Sequence, residues 1–119
     1  MPISNEKLFQ RIVKKYDLIP YDNSDEYSNV YKPKPTGLIE FNGGIIKLVV
    51  YDLPGIWLCE LNPTYEPEYN TVTAYNWVIT DRKDLHKNIK KILKHYKECN
   101  LKAKQLQLQS KLKQIDKDF

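Results

Sequence analysis

Residues 82–119 decide the fold of this 119-residue chain, and they read RKDLHKNIKKILKHYKECNLKAKQLQLQSKLKQIDKDF. No proline or glycine interrupts this stretch, so it predicts one long helix with Asp81 as N-cap and Asp84 in the first turn. Apolar residues at helical spacing mark the side of the helix that we expect to pack on the rest of the protein. They are Leu85, Ile89, Ile92, Leu93, Tyr96, Cys99, Ala103 and Leu106.

The opposite side of this helix is basic. Its cations are Lys83, Lys87, Lys90, Lys91, Lys94, Lys97 and Lys104. Residues 82–119 carry 12 Lys and Arg against 4 Asp and Glu, whereas residues 1–81 carry 7 against 11, so the net charges are +8 and −4. This asymmetry indicates a polyanion or an acidic protein surface as partner. The alternative is a merely solvated helix face in a chain whose richness in Lys, Asn, Ile and Tyr reflects AT-rich coding DNA.

A second apolar stripe lies on the basic side of the predicted helix. It consists of Leu101, Leu108, Leu112, Ile115 and Phe119. Because one straight helix cannot bury both stripes against one core, the helix either breaks near Asn100 or extends and buries the second stripe against another chain. Disorder of the last dozen residues is a third alternative. We therefore divide the chain into a single α+β domain, residues 1–100, and a C-terminal helical extension, residues 101–119.

The sequence before the helix predicts a small sheet. Four strands are expected at residues 38–41, 45–52, 56–61 and 71–80, with a hairpin turn at residues 42–44 and a second turn at residues 53–55. Helical spacing from Asn5 to Tyr16, with Ser4 as N-cap, predicts an N-terminal helix, and residues 17–35 read as irregular. The predicted fold class is α+β, a four-stranded antiparallel meander with an N-terminal helix and a long basic C-terminal helix (α-β-β-β-β-α).

Alternation along the two middle strands separates an aliphatic face from an aromatic one. If Asp52 pairs with Ile56, the aliphatic face holds Ile46, Leu48, Val50, Ile56 and Leu58. Together with the last strand, the other side supplies four aromatic candidates for ligand contact. They are Tyr51, Trp57, Tyr75 and Trp77. Either two helices cover both faces or the aromatic face meets a partner, and aromatic sheet faces beside basic helices are typical of single-stranded nucleic acid binders.

Enzymatic signatures are weak, and we expect no catalytic residue, no metal site and no cofactor. Four glycines form no phosphate-binding loop, and the two cysteines form no CxxC motif. His95 and Cys99 lie one helical turn apart, with Cys59 as a third candidate zinc ligand, but a half-buried histidine and small buried thiols explain these residues better. A metal-dependent nuclease using Glu40, Asp52 and Glu60 is a remote alternative. Without an apolar leader or membrane span, a cytoplasmic protein with no membrane partner is expected.

Two binding hypotheses remain. The leading one is a small non-enzymatic protein whose basic helix docks on a nucleic acid or nucleoprotein without base-specific readout, because lysine contacts phosphate but lacks arginine's bidentate fork. The alternative is a protein-directed adaptor or inhibitor, whose size and composition suit a viral or mobile-element origin, or a homodimer through the last helix. Its contact residues would be the second stripe and three tyrosines of acidic loops, namely Tyr27, Tyr65 and Tyr69.

Overall fold

The computed structural model describes residues 3–21, 28–35 and 37–118, with side chains except those of residues 28–29 and 115–118. Within them lie two α-helices, α1 (Asn5–Lys15) and α2 (Leu85–Asp118), and eight short strands. The strands are β1 (Ile19–Pro20), β2 (Ser28–Lys32), β3 (Glu40–Asn42), β4 (Ile46–Val49), β5 (Gly55–Cys59), β6 (Thr64–Glu66), β7 (Thr71–Thr73) and β8 (Trp77–Ile79). The predicted α+β class with its two terminal helices is confirmed, although the strand count differs.

The strands form two sheets rather than one meander. The larger sheet has the order β1-β2-β4-β5-β8 and is antiparallel throughout, and the smaller has the order β3-β7-β6 with a parallel β3–β7 pair. The hairpin predicted across residues 42–44 is wrong, because β3 pairs with β7 instead of β4. The segment at residues 17–35 that read as irregular contributes β1 and β2, and the predicted last strand is divided between the two sheets as β7 and β8.

The two faces of the larger sheet agree with the predicted alternation, although the register differs. Leu48, not Asp52, lies opposite Ile56, and Ile46 lies opposite Leu58. This shift spans an even number of residues, so Ile46, Leu48, Ile56 and Leu58 keep their predicted face. Val50, predicted on the same face, follows the end of β4 and is 54% exposed. Five residues, 50–54, connect β4 and β5, so the connection is longer than the predicted turn at residues 53–55. Within it, Asp52 and Leu53 adopt positive φ values of 51° and 58°.

Both helices pack on the aliphatic face of the larger sheet through one buried cluster. Helix α1 begins at its predicted cap, where Ser4 Oγ accepts a hydrogen bond from the Lys7 N–H at 3.2 Å, and it buries Phe9 and Ile12. A 3-10 turn (Arg82–Asp84) precedes α2, and Asp81 bonds to the Asp84 N–H through its carbonyl rather than its side chain, which corrects the predicted cap. The buried residues of α2 are Leu85, Ile89, Ile92, Tyr96, Cys99, Asn100 and Ala103.

Helix α2 continues without a break through Asn100 as far as Asp118. Its 34 residues correspond to about 51 Å of helix, within a molecule of 68 × 28 × 21 Å. The buried Asn100 side chain fixes its middle, because Asn100 Oδ1 accepts a hydrogen bond from the Ile39 N–H at 3.2 Å. Leu106, predicted to be buried, is 41% exposed because the core ends near Ala103. Neither α1 nor α2 has an apolar stretch long enough to cross a bilayer.

Candidate functional site

A single row of exposed side chains runs along α2 on the side away from the core. At steps of three and four residues, successive side chains lie on one face of a helix. The row, called the outer line below, consists of Lys87, Lys90, Lys94, Lys97, Leu101, Gln105, Leu108 and Leu112. Its first half is therefore cationic over about 15 Å, and its second half is mainly apolar over about 17 Å.

The predicted cationic residues of α2 are all exposed. Lys91 and Lys104 flank the outer line, and Lys83 lies in the 3-10 turn before it. In the part of the chain that the structure describes, the ion pairs are Lys32–Glu40, Lys34–Asp17 and an exposed Lys83–Asp81 pair at 3.9 Å. The α2 lysines from Lys87 to Lys104 form no ion pair with any described side chain, so none of the described carboxylates neutralises their charge.

A histidine at the start of α2 is sensitive to this positive charge. Tyr16 Oη and His86 Nδ1 lie 2.9 Å apart where α1 ends against α2. Desolvation, followed by the positive charges of Lys15 and Lys90, lowers the pKa of His86 below its ordinary value of 6.5. Lys15 at the end of α1 and Lys90 on the outer line are thus both close enough to His86 to disfavour its charged form.

A groove lies along one flank of α2 where the lysine half of the outer line meets the leucine half. It has a volume of about 490 Å³ and separates α2 from Pro33, Lys34 and Gly37 and from the end of α1. Apolar groups form most of its surface, with lysines from both sides of the groove. Its lining includes Tyr16, Pro33, Lys34, Leu93, Lys97, Leu101 and Lys104. The segment around Pro33 read as an irregular loop, so its sequence carried no signal for this groove.

The four predicted aromatic residues do not form one face. Trp57 and Trp77 lie on the outer face of the larger sheet, where Lys47 Nζ is 5.5 Å and 4.6 Å from their ring centroids. Tyr51 lies in the loop after β4, and Tyr75 precedes β8 with its hydroxyl donating to Glu66. Because α2 packs against the aliphatic face, the tryptophans and the outer line are on opposite sides of the sheet. The predicted aromatic contacts and the predicted lysine contacts are therefore on separate surfaces.

The predicted protein-contact residues are distributed over separate surfaces. Leu101, Leu108 and Leu112 are 52%, 61% and 54% exposed on the outer line. The side chain of Ile115 is not described, and Phe119 and Tyr27 lie outside the described residues. Tyr65 has Lys102 Nζ at 5.9 Å from its ring centroid, and Tyr69 is exposed in the turn after β6. Tyr65 thus lies beside another side of α2, and the leucines form a separate surface.

The remaining candidates for metal binding or catalysis make structural contacts. Glu40 pairs with Lys32, and Glu60 Oε1 accepts from the Tyr75 N–H at 2.7 Å. His95 Nε2 lies 2.7 Å from the Pro63 carbonyl and 3.7 Å from Cys99 Sγ, so this ring links α2 to the start of β6. Among the described residues, no group of three His, Cys, Asp or Glu side chains is placed to hold a metal ion.

Both cysteine thiols are expected to be unreactive in the folded protein. Burial, with the charge of Glu60, raises the pKa of Cys59 to about 12, and burial also raises the pKa of Cys99. At pH 8, dithionitrobenzoate should therefore label both thiols in urea but react about 100-fold more slowly with native protein. The variants Cys59→Ser and Cys99→Ser each leave one thiol and so show which labelling rate belongs to which cysteine. Rapid labelling of either thiol in the native protein would contradict this prediction.

Comparisons with known proteins identify no relative of this chain. No protein-family model matches it, and neither a curated protein nor a solved structure does so. The function must therefore be inferred from the outer line and its surroundings alone.

Proposed function

We propose that this protein is a small, non-enzymatic binding protein that docks the cationic half of its outer line on the phosphate backbone of a nucleic acid or nucleoprotein. The observation that supports this proposal is the row Lys87, Lys90, Lys94 and Lys97, which is exposed and has no carboxylate partner among the described side chains. We also propose that the protein is cytoplasmic.

The spacing and chemistry of the row suit phosphates better than bases. Steps of three and four residues separate successive lysines by about 5 Å along the helix, while double-stranded DNA presents one charge per about 1.7 Å of its axis. Several lysines can therefore reach phosphates at once. Helix α2 contains no arginine, and lysine gives a point charge without the bidentate geometry that reads guanine. We accordingly infer binding that depends strongly on salt and little on sequence.

The proposal is tested by fluorescence anisotropy with labelled single- and double-stranded 20-mers of mixed sequence. The triple variant K87Q/K90Q/K94Q should bind about 100-fold more weakly than wild type at 0.1 M salt. The slope of log affinity against log salt should also become about 2–3 units less steep. Each lost lysine removes one phosphate contact and the counterion that this contact releases.

The chain offers a matched control on its other helix. Lys7, Arg11 and Lys14 form an exposed row of the same spacing on α1, so K7Q/R11Q/K14Q removes the same charge from another surface. This control should keep most of the affinity. Absence of binding at low salt, or an equal loss in both triple variants, would contradict docking through α2.

A further inference from the structure

The leucine half of the outer line has the pattern of a coiled-coil seam. Leu101, Gln105, Leu108 and Leu112 follow at steps of four, three and four residues, the spacing that places a and d positions against a partner helix. The three leucines are each more than half exposed. In the sequence, the same spacing continues to Ile115 and Phe119, whose side chains are not described. A contiguous apolar row on a surface helix indicates an interaction site.

The charges beside this row indicate what covers it. Lys102, Lys104 and Lys111 occupy the flanking e and g positions, and residues 101–114 contain four lysines and no Asp or Glu. Two copies of this stretch would bring eight lysines together without a carboxylate between them. Flanking positions set partner choice through opposite charges, so the complementary occupant has Glu or Asp at its e and g positions.

We propose that an acidic amphipathic helix of another protein docks on the leucine half of the outer line, forming a short coiled coil with Leu101, Leu108 and Leu112. This interaction is separate from the proposed phosphate contact, which uses the lysine half. The two halves together would let one helix join a polyanion and a protein.

Gln105 adds selectivity to this surface. It is exposed and occupies a seam position between Leu101 and Leu108, where most coiled coils have an apolar residue. A polar side chain there favours a partner with a polar residue opposite, because a leucine opposite would leave the amide without a hydrogen bond once water is excluded. Gln105 therefore sets the register of the partner helix.

The groove beside α2 extends the same surface at its Leu101 end. Leu101 and Leu93 line it together with Tyr16 and Pro33, and Lys97 and Lys104 supply positive charge around these apolar groups, while Lys34 is paired with Asp17, which also lines the groove. This combination fits the apolar end and acidic flank of an incoming helix, as in recognition of a helix by a hydrophobic groove. The terminal apolar side chain of the partner helix, at the end nearest Leu101, would lie in this groove.

The test uses a synthetic three-heptad peptide with Leu at a and d except one Asn at a, and Glu at e and g. The control peptide has Lys at e and g. Isothermal titration calorimetry with the full chain should detect the acidic peptide and not the basic one. The variant L108Q/L112Q should weaken this binding about 100-fold, because two buried leucines are lost from the seam. Leu53→Gln, which replaces a leucine that is 72% exposed in the β4–β5 loop, should leave it unchanged.

The variants also separate this inference from the proposed function. L108Q/L112Q should keep its affinity for the labelled oligonucleotide, and K87Q/K90Q/K94Q should keep most of its affinity for the acidic peptide. Gln105→Leu should tighten binding of an acidic peptide with an uninterrupted leucine seam, which is an increase that misfolding cannot mimic.

Three results would overturn the inference: no binding of the acidic peptide, equal binding of the acidic and basic peptides, or a wild-type dimer that L108Q/L112Q converts to a monomer. Light scattering measures the last of these, which would assign the surface to a second copy.

Discussion

The variant Phe41→Ala is expected to lower the free energy of unfolding by about 3–5 kcal/mol, the range for removing a fully buried phenylalanine. Phe41 is 1% exposed in β3, and its ring centroid lies 5.6 Å from that of Tyr96 in an edge-to-face arrangement. It lies opposite Val72 of β7 and therefore packs the smaller sheet against α2. Urea denaturation followed by tryptophan fluorescence measures the loss.

A conservative replacement of Phe41 separates the cost of the cavity from the cost of losing the aromatic contact with Tyr96. Phe41→Leu keeps most of the buried apolar volume and should cost less than about 1.5 kcal/mol. An exposed aromatic replacement, Tyr69→Ala in the turn after β6, should change stability by less than about 0.5 kcal/mol. If Phe41→Ala cost no more than Tyr69→Ala, the smaller sheet would not belong to the cooperative core.

The features that could be predicted from the sequence depend on periodicity. The buried side of α2 follows directly from its spacing, and the faces of β4 and β5 were assigned correctly because alternation survives an even shift of register. Ile46 and Leu58 are therefore both buried, although the predicted partner of Ile56, Asp52, lies four residues along the chain from the observed partner, Leu48. Local pattern specifies which side chain lies inward more strongly than which residue lies opposite.

The pairing of β3 could not be predicted from local pattern. Gly43 and Gly44 resemble a hairpin turn, yet β3 pairs in parallel with β7, far along the chain. Gly44 is needed for another reason, because a Cβ there would overlap Cγ1 of Val30 and approach the Trp77 ring. A glycine required for close packing and a glycine required for a turn look the same in a single sequence.

The candidate site was predictable in part. Helical spacing predicts that the lysines and leucines of the outer line share one side of α2. Gln105 has the same spacing, but it belongs to neither predicted set because it is neither charged nor apolar. Helical spacing could not predict the groove beside α2. Pro33 and Lys34 line it although they are far from α2 in the sequence, and only the tertiary fold brings them together. The binding roles of these residues stay predictions until the variants are measured.

The variant Asn100→Ala is expected to destabilise the protein by about 1–3 kcal/mol, because it leaves a buried backbone donor without its partner. Asn100 is 8% exposed, and its Oδ1 is the acceptor for the Ile39 N–H. Tyr96, one turn earlier, donates its hydroxyl to the Ile39 carbonyl at 2.8 Å. Together they fix α2 to the start of β3 at the position where the outer line changes from lysine to leucine.

Gly37 is coupled to Asn100, and a double-mutant cycle should show it. Gly37 has a φ of +84°, and a Cβ at this position would lie 2.7 Å from Asn100 Oδ1. Gly37→Ala should therefore cost about 1 kcal/mol for the left-handed backbone and a further amount for displacing the Asn100 amide from Ile39. In the Asn100→Ala background only the first cost remains, so the double variant should be more stable than the summed single losses predict. Urea denaturation of the four proteins measures this coupling, and strictly additive losses would show that Asn100 can move away from residue 37 without giving up its bond to Ile39.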